Sequence, residues 1–242
     1  DEYDSYVSLY SAEAGNARNA KEKEASIKKQ AAYLKKSYSQ QIKIANAEGN
    51  TALKKQLQID KAKELLELNS QIYQNYADEY NASAGLANAQ AVNALSAKEK
   101  NKYEQKSLEY TIQEYKYLYQ AAKLKNDTIE MARLEAEIRK TANDSAKTQF
   151  DNISEEYGHK LDEIDRTSSF INNQVSLTES RNGFITASLY EKLVKSEEEH
   201  LNMLLLEKAA LEENFKNVET GSSQWFEMRD IIWSVDEAIQ SS

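Results

Sequence analysis

The stretch Y-Q-N-Y-A-D-E-Y-N-A-S-A-G, residues 73–85, decides how the rest of the chain is read. Tyr73, Tyr76 and Tyr80 advance by three and four residues, the spacing that stacks side chains on one face of a helix. Tyr3, Tyr6 and Tyr10 repeat the step and lead into Y-S-A-E-A-G, which ends at Gly15. Phe150, Ile153 and Tyr157 form a third, degenerate copy without the Ala/Gly tail. A motif that recurs at long intervals in a helix-forming sequence marks a repeat array.

Composition points the same way. Of 242 residues, 40% are hydrophobic and 29% charged, which is thin for a globular core of that length, so an elongated all-α array is expected. There is no proline, and the long runs of Ala, Glu, Lys, Leu and Gln are built from good helix formers. The absence of cysteine removes disulfides and thiolate metal sites, and it suits a reducing compartment or a protein indifferent to redox state. A net charge of −9 disfavours nucleic acid as a partner, although Lys21, Lys23, Lys28, Lys29, Lys35 and Lys36 make one helix locally basic. No apolar run reaches the roughly 18 residues that span a bilayer and no signal-peptide pattern opens the chain, so no membrane partner is expected. Asp1 stands first, inside a repeat signature, and the chain is expected to be a fragment of something longer.

Capping boxes set the frame. Asn19-A-K-Glu22 and Ser96-A-K-Glu99 each pair a side-chain acceptor at a helix start with a carboxylate three residues on, and they stand 77 residues apart. At that offset, without gaps, Tyr33 meets Tyr110, Tyr38 meets Tyr115, Ala45 meets Ala122, Thr51 meets Thr128, Leu57 meets Leu134 and Glu79-Tyr80 meets Glu156-Tyr157. There are 14 identities over 61 positions, and the turn Gly49-Asn50 falls on Asn126-Asp127. The implied unit is a helical hairpin with a repeat of about 77 residues. The organisation expected is the end of a preceding repeat at 1–18, hairpins at 19–95 and 96–182, and a C-terminal hairpin at 183–242. The tyrosine signatures are offset by 70 and 77 residues, both whole numbers of heptads, which keeps a coiled-coil seam facing one way.

Within this frame the first long helix carries the stripe Ile27, Ala31, Leu34, Tyr38, Ile42 and Ala45, and its return carries Leu65, Leu68, Ile72 and Tyr76. Residues 82–97, rich in Ala and Asn, read as a weak helix or a hinge. The next helix has two stripes on opposite sides: Leu108, Ile112, Tyr115, Tyr119 and Ala122, against Tyr103, Tyr110, Tyr117 and Leu124. It therefore lies between two neighbours or presents its tyrosines for self-association. A long helix from Asp127 breaks at Gly183, and Ser188-L-Y-Glu191 reads as a further capping box. After the turn Glu219-T-G-S-Ser223, the final helix carries Trp225, Met228, Ile232, Val235 and Ile239 as its seam, with Trp233 expected in the core beside Trp225.

This last hairpin, L-Y-E-K-L, then L-E-K-A-A-L-E-E-N-F and T-G-S-S-Q-W-F-E-M-R-D-I-I, resembles a segment of tail tape measure proteins of phages and prophages of Gram-positive bacteria. The matching positions are Tyr190, Gly221, Ser222, Trp225, Phe226 and Met228, and Y-Q-A-A-K-L-K-N-D-T resembles the turns of the same family with Asn126 in place of glycine. The resemblance covers residues 100–240. It implies a scaffold that lies in the lumen of the virion tail after assembly in the host bacterial cytoplasm, sets the length of the tail tube and self-associates, with tail tube and tail assembly proteins as partners.

No catalytic constellation, phosphate loop or nucleophile motif is present, so no enzyme activity, catalytic residue, cofactor or metal is expected. Glu156-Y-G-His159 and Glu197-E-E-His200 share the Glu-x-x-His spacing of carboxylate-bridged di-iron helices, but Gly158 interrupts the first and no second pair of glutamates accompanies them. Glu197-Glu198-Glu199 reads as a solvated acidic face, with Glu197 marking a weak seam layer. Three functions thus remain to be weighed: tape measure scaffold, helical adaptor binding a protein through tyrosine stripes, and carboxylate-bridged metal protein.

Overall fold

A computed structural model describes residues 2–241, and among these the chain is all helix with no strand. The seven helices are α1 (Glu2–Asn16), α2 (Ala20–Ala47), α3 (Thr51–Val92), α4 (Ala97–Leu124), α5 (Thr128–Asn182), α6 (Ala187–Phe215) and α7 (Ser223–Ser241). None is long and apolar enough to cross a membrane.

Local chemistry fixes the helix ends. Asn19 Oδ1 accepts from the Glu22 N–H at 2.9 Å, while Glu22 reaches back to the Arg18 N–H at 3.0 Å. Ser96 and Glu99 do the same, with the Leu95 N–H donating the return bond to Glu99 Oε2. The α2–α3 and α4–α5 turns also share one pattern. The Asn50 N–H donates to Ala45 O at 2.9 Å and the Asp127 N–H to Ala122 O at 3.0 Å, each after a residue with positive φ, Gly49 at 71° and Asn126 at 54°. Glycine reaches this region without penalty and asparagine is among the few others that tolerate it. Asn50 and Asp127 then cap α3 and α5 through the N–H groups of Leu53 and Glu130. Each start and each turn of α4–α5 lies 77 residues after its counterpart in α2–α3.

Contacts divide the chain into two compact units, Asp1–Ala94 with Lys106–Thr141, and Leu95–Gln105 with Ala142–Ser242. In the first, Ile27, Leu34 and Leu68 form the buried core, covered by Val7, Ala14, Ala31, Tyr38, Leu65 and Ile72. These are the stripes of α2 and α3 facing each other, closed by α1. Glu79 of α3 accepts from the Ala20 N–H at 2.6 Å, placing a carboxylate at the positive N-terminus of α2. Positions 77 residues on from Ile27, Leu34, Leu68 and Ile72 hold Glu104, Thr111, Ser145 and Gln149, so the apolar core has no second copy there.

In the second unit α6 returns antiparallel along α5, joining Gln149 to Asn214 and Ser168 to Ser196, and α7 lies beside both. Phe150, Leu211 and Met228, one from each helix, are fully buried at its centre with Ala146, Leu204, Val218, Ile232 and Val235.

Three sequence expectations change. Of residues 82–97, read as a weak helix or a hinge, 82–92 are the continuous end of α3, with Ala84, Ala87 and Ala91 buried, and the chain leaves the helix only at 93–96. The α6 cap is Thr186 rather than Ser188, and it makes no side-chain cap bond. Trp233 is 56% exposed, because it lies on the outer side of α7 while Trp225 borders the core.

Candidate functional site

Tyrosines are the one chemically distinctive set that the fold gathers. In the first unit Tyr3, Tyr6 and Tyr10 of α1 surround Tyr33 of α2, with Tyr6 and Tyr10 stacked on its ring at 4.7 and 5.5 Å between centroids. Lys29 lies over the Tyr10 ring and Lys36 over Tyr33, at 5.1 and 4.6 Å. In the same unit Tyr73, Tyr76 and Tyr80 of α3 surround Tyr117 of α4, and Tyr76 and Tyr80 stack at 5.0 and 5.6 Å. The helix spacing of three and four brings three rings from one helix onto one ring of the next.

The other stripe of α4 turns to α5: the Tyr115 phenol lies near Glu137, and the Tyr119 phenol near Glu135. Helix α4 thus sits between two neighbours, which answers its two-faced sequence.

Carboxylates not singled out in the sequence hold individual tyrosines. The Tyr76 hydroxyl donates to Glu24 at 2.6 Å and Tyr38 to Glu64 at 2.6 Å. Hydrogen bonding to Glu24, followed by burial, pushes the Tyr76 phenol up to about 12 from its ordinary 10.0. Burial and then Glu64 push Tyr38 to about 12. Lys28 first, then Tyr76, hold the Glu24 carboxyl below its ordinary range. For a phenol raised in the folded state, the linked stability is fully present below the unfolded value near 10.0 and is lost as pH rises through about 12. Replacing Glu24 by alanine is therefore expected to return the Tyr76 titration toward 10.0 and leave Tyr38 near 12, as read by NMR of ring-labelled tyrosine. A Tyr76 titration that does not move contradicts the assigned hydrogen bond.

The histidines behave differently from the Glu-x-x-His reading. His159 pairs with Glu155, four residues back, at 3.8 Å, while Glu156 pairs with Lys160. His200 faces Asp165 of α5 at 3.3 Å, across the helix pair from its own Glu197. Among the described residues no three His, Cys, Asp or Glu side chains are grouped as a metal-ligand set.

No family model matches the chain, and no curated protein or solved structure matches it either. Function is accordingly argued from the fold and the placement of these residues.

Proposed function

We propose that this chain is a structural scaffold of the tail tape measure type, a series of coiled-coil helical hairpins with a repeat of about 77 residues, acting in the lumen of a virion tail. One observation carries the reading: from the first tyrosine cluster to the second, the outer ring moves from Tyr6 to Tyr76, by 70 residues, and the central ring from Tyr33 to Tyr117, by 84. In an antiparallel pair, one helix losing a heptad and the other gaining one leaves the register displaced by 77 on each. The aromatic cluster has slid one heptad along a pair whose register is kept.

Helix starts, turn bonds and caps 77 residues apart support the same unit. So does the first signature when aligned at 77: Asp1-Glu2-Tyr3 meets Asp78-Glu79-Tyr80, and Leu9, Ala12, Asn16 and Ala17 meet Leu86, Ala89, Asn93 and Ala94. Such a chain has length and register as its product rather than a reaction. Self-association and contact with tail tube and tail assembly proteins belong to this proposal. The adaptor reading draws less from the geometry, because most tyrosine rings are occupied by one another within helix pairs.

The test is a deletion in the full-length gene. Removing residues 19–95 takes out one 77-residue unit and joins like to like. If these helices run extended in the assembled tail, at about 1.5 Å per residue, tails shorten by up to roughly 115 Å, and hairpins that stay folded give a smaller change. Tails of unchanged length in electron micrographs of viable particles contradict a measuring role.

A further inference from the structure

Helix α6 carries two interleaved heptad stripes. Leu204 and Leu211 are buried seven residues apart, a spacing that Val218 continues just past the helix end, and interleaved with them stand His200, Glu207 and Asn214, also seven apart. The polar stripe faces α5. His200 Nε2 is 3.3 Å from Asp165 Oδ1, Glu207 lies near Ser154, and Asn214 Nδ2 donates to Gln149 Oε1 at 3.0 Å. Asn214 Oδ1 is buried with no partner. Glu207 is only 5% exposed, although glutamate is seldom buried without a cation.

The charged groups on the elements around Glu207 are already engaged. On its own helix Lys208 pairs with Asp236 of α7 and with Glu212. On α5 Asp151 pairs with Lys147, which also reaches Glu227 of α7, and Glu155 pairs with His159. None offsets the Glu207 charge. Burial, opposed only by the nearby Ser154 hydroxyl, raises its carboxyl above the ordinary 4.5.

We propose that the α5–α6 seam is a proton-operated latch, closed when Glu207 takes up a proton and loosened when it releases it. Protonated Glu207 enters the seam without an unpaired charge. At higher pH Glu207 must hold a buried, unpaired anion or leave the seam. The sign follows from linkage: a carboxyl raised in the folded state gives stability that is complete below its unfolded value and disappears as pH rises through the folded one.

Hydrogen exchange on the full chain tests this, with each amide corrected for its chemical exchange rate. Protection of α6 amides between 200 and 211 is expected to be lost progressively as pH rises from about 5 to about 8, above the unfolded carboxyl range. Amides of α2 and α3 in the same sample supply the reference and should not follow. Glu207→Gln keeps the shape of the side chain without the charge, so it should hold protection high at about pH 8 and remove most of the fall. A wild-type α6 profile that is flat, or that tracks α2 and α3, overturns the latch. So does a Glu207→Gln profile that matches wild type. If that variant folds poorly, the wild-type comparison of α6 with α2 and α3 decides alone.

Discussion

Replacing Phe150 by alanine is expected to destabilise the second unit by about 3–5 kcal/mol, the usual cost of deleting a buried aromatic side chain from a packed core. Phe150 is 0% exposed and packs in the cluster formed with Leu204, Leu211, Met228 and Ile232. The ring leaves a cavity bordered by three helices that are tied together elsewhere, through Gln149 to Asn214 and Lys147 to Glu227, so the walls cannot readily collapse into it. Because a whole domain is stable by only roughly 5–15 kcal/mol, the loss is a large fraction of the total. Both tryptophans, Trp225 and Trp233, lie on α7, so urea unfolding followed by tryptophan fluorescence reports on this unit. The fluorescence midpoint should drop well below wild type, while the circular dichroism of helices in the first unit persists to higher denaturant. A change under about 1 kcal/mol contradicts the burial of Phe150.

Phe150 also shows how far the sequence could be read. It was visible as the counterpart of Tyr73 in a three-four step, which placed it on a helix face but not at the centre of a three-helix core. Periodicity reports that a face is buried and is silent on how many helices cover it. The helix ends were legible because their causes are local: Asn19, Asn50, Ser96 and Asp127 cap the N–H groups three residues on, and Gly49, Gly183 and Gly221 adopt positive φ. At Thr186 the local signal misled, since the Ser188 box pattern lies inside the first turn of a helix that starts without a side-chain cap.

What escaped the sequence rests on distant partners. Glu79 at the start of α2 and Glu24 on Tyr76 are joined to residues more than fifty positions away, and nothing in their neighbours marks them. The polar stripe of α6 was hidden for another reason. Glu207 and Asn214 look like ordinary surface residues until Leu204 and Leu211 are known to be buried, which makes these intervening heptad positions interior as well, with His200 half-buried at the end of the same stripe. Following the tyrosines places Tyr3 opposite Tyr73, at 70 residues, and the rings correspond in that way: Tyr3, Tyr6 and Tyr10 surround Tyr33 as Tyr73, Tyr76 and Tyr80 surround Tyr117. Asp1-Glu2-Tyr3 also matches Asp78-Glu79-Tyr80 at 77, and the two offsets differ by one heptad, so an aromatic cluster is free to occupy either layer of a seam.

That freedom makes the tyrosines testable as packing. Tyr117 is the hub of the second cluster, with Tyr76 and Tyr80 stacked on it at 5.0 and 5.6 Å and Tyr73 tilted at 6.4 Å. Its ring is half-buried, so alanine should cost less than at Phe150, yet each aromatic pair adds about 0.5–1.5 kcal/mol beyond the area removed from water. Tyr117→Ala is therefore expected to destabilise the first unit by about 2–3 kcal/mol. Tyr117→Phe should be nearly neutral, since burial rather than a strong hydroxyl hydrogen bond dominates the environment of this phenol. Tyr76→Phe should cost about 0.5–1.5 kcal/mol, the net worth of an ordinary hydrogen bond, because Glu24 loses its 2.6 Å donor but keeps Lys28. Tryptophan fluorescence does not see this unit, so the measurement is loss of helix by circular dichroism as urea rises, with the transition reported by Trp225 and Trp233 held constant as the internal control. A Tyr117→Ala transition that coincides with wild type means the rings lie on the surface without binding α3 to α4, and the tyrosine stripe is then free to serve a partner instead.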